Sequence, residues 1–226
     1  MSGKIESKLH AVQQHIREIA EACGRNPETI TLIAVSKFHP VSEIEEAIAC
    51  GHHDFGENRV QELCEKQELI KSVRWHMIGN LQRNKVRFIA PFVHLIHSVD
   101  SEKLLQVIEK EAWKQERKIP VLLQIFISGE DTKSGMSPEE AHEIISRYQA
   151  YPHITFKGVM GMAALTEDRE LIRTQFRHLA SVFTNLQSAF SGNHNFTEIS
   201  MGMSGDYDIA IEEGATLIRV GSAIFQ

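Results

Sequence analysis

Two stretches of this chain carry residue types that could do chemistry together. The first is Thr31-Leu32-Ile33-Ala34-Val35-Ser36-Lys37, a short apolar run that ends in a lysine and is cut off by Pro40. A run this short and β-branched reads as a buried strand, which puts Lys37 at its C-terminal end. In parallel α/β proteins ligands bind at that end, so the amine there is a candidate nucleophile. The second stretch holds two groups near the C-terminus, Ser200-Met201-Gly202-Met203-Ser204-Gly205-Asp206 and Arg219-Val220-Gly221-Ser222. Glycine lets backbone approach an anion, and N–H groups at a helix start face it, so two such loops side by side read as a phosphate cradle. Either loop alone reads more simply as a tight turn.

The intervening residues must position these groups. Strand patterns recur at 53–55, 74–78, 93–99, 120–127, 155–161, 196–200 and 216–220, which with the opening run makes eight. Helical patterns lie between them at 42–51, 58–71, 81–90, 101–117, 137–148, 167–190 and 205–213. Start signals support several, among them the Ser42-Glu43-Ile44-Glu45 capping box and Ser137-Pro138-Glu139-Glu140. Strict βα alternation over eight units predicts an α/β fold, a single (β/α)8 TIM-type barrel occupying residues 1–226 as one domain. Ile5, Leu9, Val12, Ile16, Ile19 and Cys23 make the stripe of an amphipathic helix ahead of the first strand. Only residues 221–226 follow the eighth strand, so no eighth helix is expected there, and the N-terminal helix is predicted to close the ring between strands eight and one.

On that frame Lys37 faces the cradle across the barrel mouth. A strand-end lysine opposite a phosphate site suggests pyridoxal 5'-phosphate (PLP), the amine taking the aldehyde as a Schiff base and the cradle anchoring the phosphate. An arginine such as Arg219 against the pyridine nitrogen would disfavour its protonation and weaken the electron sink. His76 reads equally as a ring contact or a satisfied core histidine. His94 and His97, three apart in a strand pattern, should point to opposite faces and make a poor metal pair. Tyr207, in the first turn after the cradle, reads as a solvated helix-start residue. Asp131-Thr132-Lys133-Ser134-Gly135 should follow strand five at the mouth. Met160, Met162, Met201 and Met203 read as packing.

Composition excludes other classes. The 226 residues carry a formal net charge of -6 from scattered charges, with no basic block for nucleic acid. Cys23, Cys50 and Cys64 lack metal or disulfide spacing and fit a cytoplasmic protein. No stretch has the length or apolarity of a membrane span.

Leu32-Ile33-Ala34-Val35-Ser36-Lys37, Phe55-Gly56-Glu57-Asn58-Arg59-Val60-Gln61-Glu62 and Trp75-His76-Met77-Ile78-Gly79-Asn80-Leu81-Gln82-Arg83-Asn84-Lys85 resemble the YggS/PROSC family of pyridoxal phosphate homeostasis proteins. So do Lys133-Ser134-Gly135, Gly158-Val159-Met160 and the stretches from Ser200 to Ser204 and from Arg219 to Phe225, which extends the resemblance over essentially the whole chain. The resemblance implies the PLP-binding barrel shared with the N-terminal domain of alanine racemases. It implies a covalent aldimine on Lys37, Arg219 facing the pyridine nitrogen, Ser200, Ser204, Gly221 and Ser222 on the phosphate, and Asn58 and His76 near the ring. It further implies a reversible PLP carrier or regulator of vitamin B6 balance with no catalytic turnover, with PLP-dependent apo-enzymes as candidate partners; because the racemases' second domain supplies much of their dimer contact, a barrel without it is expected to be a monomer. The alternative is a PLP-dependent racemase-like enzyme. Against it stands length: racemases of this barrel type take one catalytic group from a second, β-rich domain, for which 226 residues leave no room. The family commonly continues past Ile-Phe with a glycine and further residues, whereas Gln226 ends this sequence.

Overall fold

Side chains alternate along a strand, and that alternation sorts the residues here onto two faces. In β1 (Thr31–Val35), Leu32 and Ala34 join the large apolar core beneath the helices, which leaves Ile33 and Val35 the inner face. The computed structural model describes residues 3–129, 134–190 and 195–226. Asp131, Thr132 and Lys133, expected at the mouth after strand five, lie outside the described residues.

β2 (Asp54–Glu57), β3 (Arg74–Met77), β4 (Leu95–Val99), β5 (Ile119–Gln124), β6 (Ile154–Met160), β7 (Glu198–Ser200) and β8 (Leu217–Val220) follow. All eight pair in parallel and in sequence order, and β8 returns to β1 to close the barrel. The connecting helices are α2 (Val41–Ala49), α3 (Val60–Leu69), α4 (Val86–Ile89), α5 (Glu102–Lys114), α6 (Pro138–Ser146), α7 (Arg169–Ala189) and α8 (Tyr207–Glu212). Side-chain caps start some of them: Ser137 and Glu140 form a complete capping box at α6, and the Asp168 carboxylate accepts from two backbone N–H groups at α7, whereas α2 begins at Val41 behind Pro40 with no side-chain cap, so Ser42 does not cap it. Inside the barrel a small apolar layer of Leu95, Leu122, Met160 and Leu217 lies beside buried polar side chains. Among the described residues no helix is long and apolar enough to cross a membrane.

The N-terminal helix α1 (Lys4–Ala22) packs against α2, α8 and the chain end, which places it between β8 and β1 as predicted. It buries Ile5, Leu9, Val12 and Ile16, at ~1.5–3 kcal/mol for each such side chain. Arg25, just beyond it, donates to the carbonyls of Ile211 and Ala215 at 2.6 and 2.8 Å. Lys8 Nζ reaches the carbonyl of Gln226.

Three expectations are corrected. A four-residue helix, α9 (Ser222–Phe225), does follow β8, because Ile224 and Phe225 are buried against α1. Tyr207 is not solvated: it is buried and its hydroxyl lies 2.6 Å from His15 Nδ1 on α1. His94 and His97 do not diverge. His94 precedes β4 and escapes its pleat, so both rings meet His76, at 5.2 and 5.3 Å between centroids.

Candidate functional site

Lys37 leaves the C-terminal end of β1 with its side chain exposed, while both its neighbours are tied down. Buried Lys66, on α3, donates at 2.7 Å to three acceptors: the Ser36 carbonyl, Glu57 Oε1 and Glu62 Oε1. The Ser36 hydroxyl donates to Glu57 Oε1 at 2.6 Å, and the Phe38 N–H donates to Glu62 Oε1 at 2.6 Å. Phe38 is held at φ +67°, a left-handed conformation costly for a bulky residue. One lysine and two glutamates thus fix the backbone on either side of Lys37. Burial pushes the Glu57 carboxyl up, against the pull of Lys66 and Ser36. The only local trace of this clamp in the sequence is that Lys66 falls on the α3 face that buries Val60 and Leu63.

The opposite side of the mouth is built with little charge. Gly202, at φ +91°, sits so close to α8 that a Cβ there would lie 2.6 Å from Ala210 Cβ. Asp206 closes the loop after β7 by accepting from the Met203 N–H at 2.6 Å. The Gly221 N–H, at the start of the loop after β8, faces Ser204 Oγ at 3.4 Å, which brings the two loops of the expected cradle together. A Cβ on Gly221 would meet the Val35 carbonyl at 3.1 Å, so glycine permits β8 to close on β1. Ser222 is exposed and opens α9, whose first N–H groups have no partner within the helix.

Arg219 links the halves. The register pairs Ile33 with Arg219, so these two share the inner face of neighbouring strands, and Lys37 lies two residues beyond the end of β1. Arg219 is buried and donates to Ser200 Oγ at 2.5 Å and to the Gly161 carbonyl at 3.2 Å. Burial lowers its pKa to about 10, with Asp206 opposing the shift.

The other expected site residues are placed unequally. Asn58 is half-buried just past β2, and a Cβ on Gly79 would lie 2.3 Å from its carbonyl oxygen, so the loops after β2 and β3 touch. Ser200 lies beneath the cradle loops, its hydroxyl engaged by Arg219 and by His97 Nδ1 at 2.8 Å. His76 is deeper still, with Nδ1 3.0 Å from His97 Nε2 and Nε2 3.1 Å from Asp54 Oδ1. Asp54, at the opposite end of the barrel, is held by Arg74 through two bonds of 2.6 Å. Among the described residues no cluster of histidine, cysteine and carboxylate side chains could hold a metal ion.

Residues 7–226 of this eight-stranded parallel barrel match the family described as alanine racemase, N-terminal domain. A pyridoxal phosphate homeostasis protein of Aquifex aeolicus is 37% identical over 220 residues, covering 96% of each chain. The chain belongs to this family of pyridoxal phosphate homeostasis proteins. Among solved structures, PipY of Synechococcus elongatus with PLP bound superposes with a TM-score of 0.82 at 34% identity, over 93% of this chain and 100% of that one. An alanine racemase of Clostridium difficile, 15% identical, shares the fold with a TM-score of 0.75, and the match spans 55% of that chain.

Proposed function

We propose that this protein holds pyridoxal 5'-phosphate reversibly and buffers its supply, with no turnover of its own. The observation that carries the reading is the pairing of β1 with β8: an exposed lysine follows β1, a buried arginine lies on β8, and the two loops after β7 and β8 join at Ser204 and Gly221. These residues fit the cofactor. Lys37 is the only one of them with an amine for an aldehyde, Ser204, Ser222 and the N–H groups near Gly221 suit a phosphate, and Arg219 is a fixed donor for a ring nitrogen. When bound, PLP supplies an aldehyde that condenses with the amine and releases water.

The residues of the chain bind and orient. The clamp of Lys66, Glu57 and Glu62 holds the backbone that carries Lys37. Arg219, positively charged, keeps a proton off the nitrogen it faces and so opposes carbanion chemistry. Asn58 borders the ring side of the mouth. Ser200 contributes from below by accepting from Arg219, and His76 acts on Ser200 only through His97. Release to PLP-dependent apo-enzymes in the cytoplasm follows from a single exposed covalent anchor, and a monomer suffices for it.

Purified protein given PLP should become yellow and retain the cofactor through gel filtration, and borohydride should fix the adduct on Lys37. Lys37→Ala should lose both the band and the mass increment. A wild type that stays colourless would overturn the reading. Robust racemisation of an amino acid by the loaded protein would replace it with the enzymatic one.

A further inference from the structure

One continuous line of polar side chains runs along the barrel, Arg219, Ser200, His97, His76, Asp54, Arg74. Chemistry fixes the direction of each link. Asp54 takes two short hydrogen bonds from Arg74, which hold its carboxyl well below the usual carboxylate range, so it is ionised and can only accept. His76 Nε2, at 3.1 Å, must therefore carry a proton and donate to Asp54. Burial pushes the imidazole pKa of His76 down, so the ring is neutral and its Nδ1 is a bare acceptor. His97 Nε2, 3.0 Å away, must then be the donor to it. His97 is also buried and pushed toward the neutral form, away from charge beside His76 and Arg219, which leaves its Nδ1 bare. The Ser200 hydroxyl donates to that nitrogen at 2.8 Å, and its oxygen is left free to accept from Arg219 at 2.5 Å.

From Arg219 to Asp54 each donor thus points the same way, from the cofactor mouth toward the far end of the barrel, where Arg74 donates to Asp54 from the other side. Were His97 the other tautomer, its Nδ1–H would point at Ser200 Oγ, which already faces the Arg219 N–H. The serine proton would then have neither of these partners as an acceptor.

We propose that Asp54 is a positioning residue for Arg219, acting through His76, His97 and Ser200 to orient the guanidinium toward the cofactor's ring nitrogen. The carboxylate sets one tautomer in each histidine, the histidines set the serine rotor, and the serine presents a lone pair to Arg219. The part concerning the ring nitrogen rests on the PLP reading above; the tautomers do not.

The test uses nitrogen-15 NMR of the histidine rings in the full chain, first without PLP. At pH 7.5 both His76 and His97 should be neutral with the proton on Nε2. A proton on Nδ1 of either ring, or on both nitrogens of one, overturns the proposal. In Asp54→Asn the amide can present either an oxygen or an NH2 group, so the bias should be lost and His97 should become a mixture of tautomers. The loaded variant should lose PLP roughly tenfold faster, the scale of one charge-assisted hydrogen bond, with a shifted absorbance maximum. Unchanged tautomers and an unchanged band in the variant also overturn it. If Asp54→Asn does not fold, the wild-type tautomers still decide. If the wild type takes up no PLP, the homeostasis reading fails, while the PLP-free spectra continue to decide the hydrogen-bond direction.

Discussion

The two sides of the barrel mouth are held by different forces. On the β1 side the lysine loop is pinned by buried ions, with Lys66 between Glu57 and Glu62 and the Ser36 and Phe38 backbone fastened to them. On the β7 and β8 side close approach does the work: Gly202 against α8, Gly221 against Val35, and one aspartate tying its own loop. The difference matches what each side has to offer a ligand. A single exposed amine needs a fixed base but no enclosure, and buried charge supplies that rigidity at a distance. A loop that presents backbone N–H groups to an anion must let the main chain come close, which side-chain volume would prevent.

Breaking the clamp should be the largest effect. Lys66→Met leaves Glu57, fully buried, without its cation, and removing one partner of a buried pair costs about 3–5 kcal/mol. The denaturant midpoint should fall accordingly, and adding Glu57→Gln to Lys66→Met should recover part of the loss. If the double variant is no more stable than Lys66→Met, the ion pair is not what fixes this side. On the other side volume should be the sensitive quantity. Gly202→Ala combines a left-handed φ with a Cβ placed 2.6 Å from Ala210 Cβ, and overpacking of this kind costs about 1–3 kcal/mol. PLP retention should drop with it, since Gly202 shapes the loop that carries Ser204. Unchanged stability and retention would show that this loop has slack and that the contrast between the two sides is wrong.

The sequence discloses the scaffold far better than it discloses the clamp. Strand order and the ring-closing helix are legible because period-two and period-3.6 patterns and their caps are local. So is the place of Lys37 just past β1, because the apolar run that makes the strand stops short of it. Lys66 is not, since its partners Glu57 and Ser36 come from two strands and meet it only after α3 docks; its place on an apolar helix face is the one local trace. His94 misleads because the strand starts two residues later than the pattern suggests and so leaves His94 outside its pleat. Tyr207 misleads because its partner is His15, 192 positions away. Asp54 falls inside the short strand pattern at 53–55, and nothing local says that its carboxylate ends a line of buried histidines.

A smaller test sharpens the β1 side. Phe38 is 70% exposed, its ring lies 5.4 Å from the Arg59 guanidinium, and its backbone is left-handed. The exposed ring contact contributes about 0.5–1 kcal/mol, while the left-handed conformation costs roughly 1–2 kcal/mol for a residue with a Cβ. Glycine relieves the second and forfeits the first, and it adds unfolded-state entropy of about 0.5–1 kcal/mol. These contributions nearly cancel, so Phe38→Gly should change stability by less than about 1 kcal/mol in chemical denaturation. The N–H that donates to Glu62 survives the substitution, so Lys37 should keep its position and PLP its retention time. A large loss of retention at unchanged stability would mean that the Phe38 ring, and not the ionic clamp beneath it, holds the lysine in place.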